Sequence, residues 1–126
     1  MPARILIIED DPLFAMLLRE ILTDNGYEVV GVAANAGKAV QQAAIEGPDL
    51  LLSDIQLQGP GDGIEAAIEI RKRREIAVVF LTAANDPQTI ERAKAARPAA
   101  YLNKPADLSL VVDAVEHALE DQRETK

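Results

Sequence analysis

Six side chains stand where chemistry could be done: Glu9, Asp10, Asp11, Asp54, Thr82 and Lys104. The chain of 126 residues has no cysteine and one histidine, His117, so thiolate chemistry, a disulfide framework and a histidine-based metal or acid–base site are excluded. Each of the six follows a short apolar run: Glu9-Asp10-Asp11 after Ile5-Leu6-Ile7-Ile8, Ser53-Asp54 after Leu50-Leu51-Leu52, Thr82-Ala83 after Phe80-Leu81, and Asn103-Lys104-Pro105 after Tyr101-Leu102. If the first and third runs are adjacent strands, Glu9, Asp10 and Asp54 converge, and carboxylates about 4 Å apart repel by roughly 4 kcal/mol at an effective dielectric of 20. A fold tolerates this when a cation sits among them, and hard oxygen donors without His or Cys select Mg²⁺, with Mn²⁺ or Ca²⁺ as substitutes. Opposite them, the ammonium of Lys104 and the hydroxyl of Thr82 suit the oxygens of a phosphoryl group. An aspartate can be the nucleophile of such a transfer, with metal, lysine and hydroxyl sharing the charge on the equatorial oxygens. Taken singly, Asp11 is a helix cap, Asp54 a turn residue and Lys104 a surface lysine. What favours chemistry is that all of them end strands on one rim. A cis bond at Lys104-Pro105 would fix the turn that aims the lysine inward.

The elements that must carry these residues alternate. Short aliphatic runs over Arg4 to Glu9, Glu28 to Ala33, Leu50 to Ser53, Ala77 to Leu81 and Ala99 to Leu102 read as strands, mostly apolar as strands covered on both faces should be. Helical segments lie between them. Asp11-Pro12 supplies a cap and an N1 proline for a helix whose stripe would be Leu13, Leu17, Leu18, Ile21 and Leu22, ending near Asn25-Gly26. A second runs from Asn35 through Glu46 to Gly47-Pro48, a third from Asp62-Gly63 to about Arg74, a fourth from Asp86-Pro87, and a fifth from Asp107 to about Asp121. Five βα units imply an α/β, doubly wound fold with an open parallel sheet, one domain over residues 1–126, with its ligand site beyond the carboxyl ends of the strands.

Composition narrows the function further. Thirteen Lys and Arg against 21 Asp and Glu leave a net charge of −8, which argues against direct nucleic-acid binding. Apolar runs are far short of the roughly 20 residues that span a bilayer, and no secretory signal pattern opens the chain, so a cytoplasmic location is expected. With no Trp and 3% aromatic residues, a stacking platform for bases or sugars is not expected. Arg71-Lys72-Arg73-Arg74 reads as cations complementing a helix C-terminus. Gly59-Pro60-Gly61-Asp62-Gly63 lacks the spacing of a phosphate loop.

On these residues, nearly the whole chain resembles the receiver domain of bacterial two-component response regulators, and the resemblance implies a flavodoxin-like fold with a five-stranded parallel sheet of order 2-1-3-4-5 flanked by five helices. The pieces that carry the resemblance are Ile5 to Asp11, Pro48 to Asp54, Asp62-Gly63, Leu81-Thr82-Ala83 and Tyr101-Leu102-Asn103-Lys104-Pro105. The resemblance implies that Asp54 takes a phosphoryl group from a phosphohistidine on a sensor histidine kinase or phosphotransfer protein, as one step of a phosphorelay. It implies that Asp10, Asp54 and the backbone carbonyl of Gln56 hold Mg²⁺, with Glu9 acting through water. Thr82, the Ala83 backbone N–H and Lys104 would grip the phosphoryl oxygens. It also implies a switch in which Thr82 and Tyr101 reposition and reshape the surface of the fourth helix, fifth strand and fifth helix for a downstream protein or a second copy of the chain. Such a protein is no enzyme beyond catalysing its own phosphorylation and dephosphorylation. Gln56 and Ala84 occupy positions that tune phosphate lifetime in that family.

Two stretches depart from the family pattern. After Asp54 the family commonly has a proline four residues on and a glycine eight on, whereas here Gln58 takes the first place and Gly63 lies nine on, so the loop reads as one residue longer. Ala96-Arg97-Pro98 stands where a glycine-containing turn is common. Two other readings have their own discriminants. A flavodoxin-like cofactor binder would need a Ser/Thr/Gly-rich first loop, where this chain has Glu-Asp-Asp-Pro; an unphosphorylated interaction module would not need intact Asp54, Thr82 and Lys104.

Overall fold

Each apolar run becomes a strand with side chains alternating between two hydrophobic layers. The computed structural model describes residues 2–104 and 107–124, so the Lys104–Pro105 bond and the end of the polar tail lie outside the described residues. The elements are β1 (Arg4–Ile8), α1 (Pro12–Asp24), β2 (Glu28–Ala33), α2 (Ala36–Glu46), β3 (Leu50–Ser53), α3 (Gly63–Arg71), β4 (Ala77–Thr82), α4 (Pro87–Ala93), a 3₁₀ turn (Lys94–Ala96), β5 (Ala100–Asn103) and α5 (Leu108–Glu124). The five strands are parallel in the order β2-β1-β3-β4-β5, the order expected from the sequence. Leu6, Ile8, Leu51, Val78 and Phe80 pack toward α2, α3 and α4. Their neighbours Ile5, Ile7, Leu50, Leu52, Val79 and Leu81 pack toward α1 and α5. With both sheet faces buried, the functional groups are left to the rims. No described helix is long and apolar enough to cross a membrane.

Two expectations need correction. The buried face of α1 is Ala15, Leu18 and Leu22, while Leu13 (64% exposed) and Leu17 (43%) face outward. The helix carries more apolar residues than one face can bury, and its phase is set by the Asp11 cap, whose carboxylate accepts the Leu13 and Phe14 N–H groups at 3.0 and 3.4 Å. Helix α3 ends at Arg71, not Arg74, because the Arg71 guanidinium turns to donate to the Ile76 carbonyl and the chain must enter β4. Of the basic run only Arg71 lies in the last helical turn. Helix α4 stops at Ala93 and tightens into the 3₁₀ turn, where Arg97 takes the left-handed conformation (φ 49°) usually left to glycine. Pro98 disfavours helical backbone at the residue before it, which ends the element there.

Candidate functional site

Register places the charged residues together. Ile8 lies beside Ser53, and Thr82 beside Asn103, so the residues just past these strands, Glu9, Asp54 and Lys104, leave the sheet along one rim. Backbone bonds continue the ladder across it: Asp54 N–H donates to the Ile8 carbonyl (2.8 Å), Glu9 N–H to Ala33 (2.9 Å) and Lys104 N–H to Thr82 (2.8 Å). The side chains are thus aimed by the sheet and not by loose loops.

The Lys104 ammonium bridges two carboxylates, with Nζ 2.7 Å from Glu9 Oε1 and 2.9 Å from Asp54 Oδ2. Glu9 is 3% exposed and Asp54 9%. The second oxygen of Glu9 accepts the Asp11 N–H at 3.0 Å, and Asp54 Oδ1 accepts the Ile55 N–H at 2.6 Å. Burial pushes the Glu9 carboxyl above its ordinary range despite the Lys104 and Asp11 bonds that favour its charge. For Lys104 burial disfavours the ammonium, yet the hydrogen bonds and charges of Glu9 and Asp54 outweigh it and hold the pKa above the ordinary lysine value. One oxygen each from Glu9, Asp10 and Asp54 lies within 4.8 Å of the others. Asp10, half-buried, makes no hydrogen bond or ion pair among the described residues. Three hard oxygens set against a single ammonium fit a small divalent cation such as Mg²⁺.

The other expected residues sit around this cluster. Thr82 is 1% exposed at the end of β4, and its hydroxyl accepts the Ala84 N–H at 3.2 Å. Ala83, next to it, is exposed. Tyr101 is half-buried on β5, its ring edge-on to Phe80 (centroids 6.2 Å apart) and its hydroxyl donating to the Ala84 carbonyl. Burial, then the charges of Asp86 and Asp54, hold its hydroxyl pKa above the usual value. Thr82 and Tyr101 therefore meet at one loop residue, Ala84, which the sequence offered only as a position that tunes lifetime. Gln56 lies in the bend two residues past Asp54 with its side chain exposed.

The nine-residue loop between β3 and α3 closes back onto Asp54. Gly59 and Gly61 take positive φ (78° and 81°), Asp62 caps α3 by accepting the Glu65 N–H at 2.9 Å, and Gly63 N–H donates to the Ile55 carbonyl at 2.8 Å. A Cβ on Gly63 would lie 1.9 Å from the Asp54 carbonyl oxygen and 2.7 Å from Ser53 Oγ. Gly63 is thus required for space against the Asp54 backbone, a role the sequence showed only as a glycine at an unusual offset. A second residue without a marked sequence signal is Phe14, whose ring centroid lies 4.5 Å from Lys104 Nζ. Its signal in the sequence was weak, an aromatic one turn into a helix that begins at the acidic tip.

A family model described as the response regulator receiver domain matches residues 5–116. The chain is 42% identical over 123 residues to the transcriptional regulatory protein PdtaR of Mycobacterium tuberculosis, an alignment covering 98% of this chain and 60% of PdtaR. It is 31% identical over 120 residues to the chemotaxis protein CheY of Bacillus subtilis, covering 94% of this chain and 99% of CheY. It therefore spans less than two-thirds of the first relative and nearly all of the second. Among solved structures, the signal receiver domain of a modulated diguanylate cyclase from Desulfovibrio desulfuricans is similar, with a TM-score of 0.93 and 34% identity over 100% of both chains.

Proposed function

The chain belongs to the response regulator receiver domain family of two-component signalling, and from that premise we propose that Asp54 accepts a phosphoryl group and that its phosphorylation switches a protein-binding surface. The observation that carries this reading is the Lys104 ammonium held between Glu9 and Asp54, with Asp10 in the same carboxylate cluster. In the transfer, an Asp54 carboxylate oxygen attacks phosphorus, the bond from phosphorus to the donor's imidazole nitrogen breaks, and the imidazole leaves neutral after protonation. Hydrolysis reverses the load: water attacks phosphorus, the acyl phosphate bond breaks, and the carboxylate returns with inorganic phosphate.

Asp10, Asp54 and the Gln56 carbonyl would hold Mg²⁺, with Glu9 acting through water; when bound, the ion supplies positive charge that neutralises developing phosphoryl oxygens. Lys104 provides the second positive charge, already aimed at Asp54 by its two carboxylate partners. Thr82 and the Ala83 N–H provide uncharged donors to the remaining oxygens. For Thr82 this means giving up the Ala84 N–H, and since Tyr101 is bonded to the same residue, a move of Thr82 is coupled to β5 and to the start of α4. That coupling supports a switch at the surface of α4, β5 and α5. Residues 1–126 would act as one receiver unit, with a sensor histidine kinase or phosphotransfer protein as donor and a protein as downstream target.

The test is intact mass after incubation with acetyl phosphate, with and without Mg²⁺. Wild type is expected to gain one phosphoryl group only with the metal, and Asp54→Asn none. Phosphate that persists in Asp54→Asn would assign the acceptor elsewhere, and none in wild type would favour an unphosphorylated interaction module.

A further inference from the structure

Lysine carries its charge on a flexible four-carbon stem and holds a direction only when its surroundings impose one. For Lys104 two of those surroundings are Glu9 and Asp54, which are the same carboxylates that, with Asp10, are grouped closely enough to hold a cation. Carboxylates that share their charge with a divalent ion hold an ammonium less firmly. The third neighbour is not consumed in this way. The Phe14 ring, its centroid 4.5 Å from Nζ, is inside the distance at which a ring quadrupole attracts a cation.

The ring is held there by the backbone. Asp11 caps α1 through the Leu13 and Phe14 N–H groups, and the Asp11 N–H is itself bonded to Glu9. The first turn of the helix is thus tied to the acidic tip that faces Lys104. Around Phe14 on α1, Leu13, Met16 and Leu17 are 64%, 54% and 43% exposed, while Phe14 is half-buried and packs on the α1 side of the core. We infer, on the basis of the phosphoacceptor reading above, that Phe14 is a positioning residue for phosphoryl transfer: its ring face keeps the Lys104 ammonium directed at Asp54 once the carboxylates are shared with a metal. An aliphatic side chain of similar bulk fills the space without providing that attraction.

The experiment compares wild type, Phe14→Leu and Phe14→Tyr. In the metal-free protein, the Lys104 Cε protons are expected upfield of those of the other four lysines in wild type and Phe14→Tyr, and at an ordinary position in Phe14→Leu, because only an aromatic ring shifts them. With Mg²⁺ and acetyl phosphate, a donor too small for α1 to serve as its docking surface, Phe14→Leu is expected to take up phosphate roughly fivefold more slowly. Phe14→Tyr should stay within about twofold of wild type on the same scale. Uptake by Phe14→Leu at the wild-type rate, or by Phe14→Tyr as slowly as Phe14→Leu, overturns the inference. If wild type takes no phosphate, the phosphoacceptor reading fails by itself, and the inference about Phe14 as a positioning residue for that transfer falls with it.

Discussion

Strand β3 is bracketed by two aspartates that do opposite work. Asp49, before its first residue, is exposed and laces strand beginnings together: its carboxylate accepts the Arg4 N–H at 2.8 Å, its N–H donates to the Arg4 carbonyl at 2.7 Å, and its own carbonyl accepts the Ala77 N–H at 3.2 Å. Asp54, after its last residue, is 9% exposed and meets another carboxylate across a shared lysine. At the first rim the ion pair Arg4–Glu46 is more than a third exposed on both sides, and such pairs contribute little. At the second rim three acidic side chains crowd against one ammonium with little water to screen them. Charge placed to close backbone hydrogen bonds stabilises a fold. Charge gathered beyond what local partners neutralise weakens it, and is retained where a bound ion or group supplies the balance.

The sharpest way to break this contrast is steric. Gly63→Ala drives a methyl group into the Asp54 carbonyl and is expected to cost about 3 kcal/mol in chemical denaturation. Gly26→Ala, at the other end of the molecule with nothing near the added atom, should lose only about 1 kcal/mol, from its left-handed backbone. The next test is of sign. Asp49→Ala is expected to destabilise by about 1 kcal/mol through the lost Arg4 bond while leaving phosphate uptake from acetyl phosphate unchanged. Asp10→Asn should instead stabilise the metal-free protein by about 1 kcal/mol, by removing one like charge from the cluster. Denaturation curves for both variants, which move in opposite directions on this account, decide it.

The strand tips were legible because an apolar run ending in a charged residue is a local pattern. Leu50-Leu51-Leu52 followed by Ser53-Asp54 identifies a buried strand and its end without reference to anything distant. The doubly wound parallel class was legible because five alternating units have few compact solutions, and the strand order came with the family resemblance that the strand tips carry. What depends on approach between distant segments was not. That Gly63 touches the Asp54 backbone follows from how a nine-residue loop folds back, which no spacing encodes. The meeting of Phe14 with Lys104 joins segments 90 residues apart, and in the sequence Phe14 is one apolar residue in a run of six. The stripe expected on α1 held at Leu18, Ile21 and Leu22 and missed at Leu13 and Leu17 for a related reason: with Leu13, Phe14, Ala15, Met16, Leu17 and Leu18 in succession, only the cap and the sheet decide which of them face inward.

A smaller effect concerns pH. Lys104 has its folded pKa raised above the ordinary 10.5, after burial is outweighed by its two carboxylate partners. Its stabilising contribution is therefore complete below about pH 10 and is lost as pH rises through the folded value. Tyr101, raised from 10.0 chiefly by burial, acts in the same direction. Metal-free wild type should lose stability on the alkaline side, and Lys104→Met should flatten that limb and leave the Tyr101 part. An alkaline limb equally steep in Lys104→Met would remove the ammonium from the account.

On the proposed function, the acidic end of the sheet, and not acidity in general, holds a divalent cation beside Asp54. Calorimetric titration of wild type, Asp10→Asn and Asp49→Asn with Mg²⁺ separates the two cases. One site of equal affinity is expected in wild type and Asp49→Asn, with binding at least about tenfold weaker in Asp10→Asn, which loses one charged oxygen of the cluster. Equal affinity in all three, or weakening in Asp49→Asn as large as in Asp10→Asn, would contradict it.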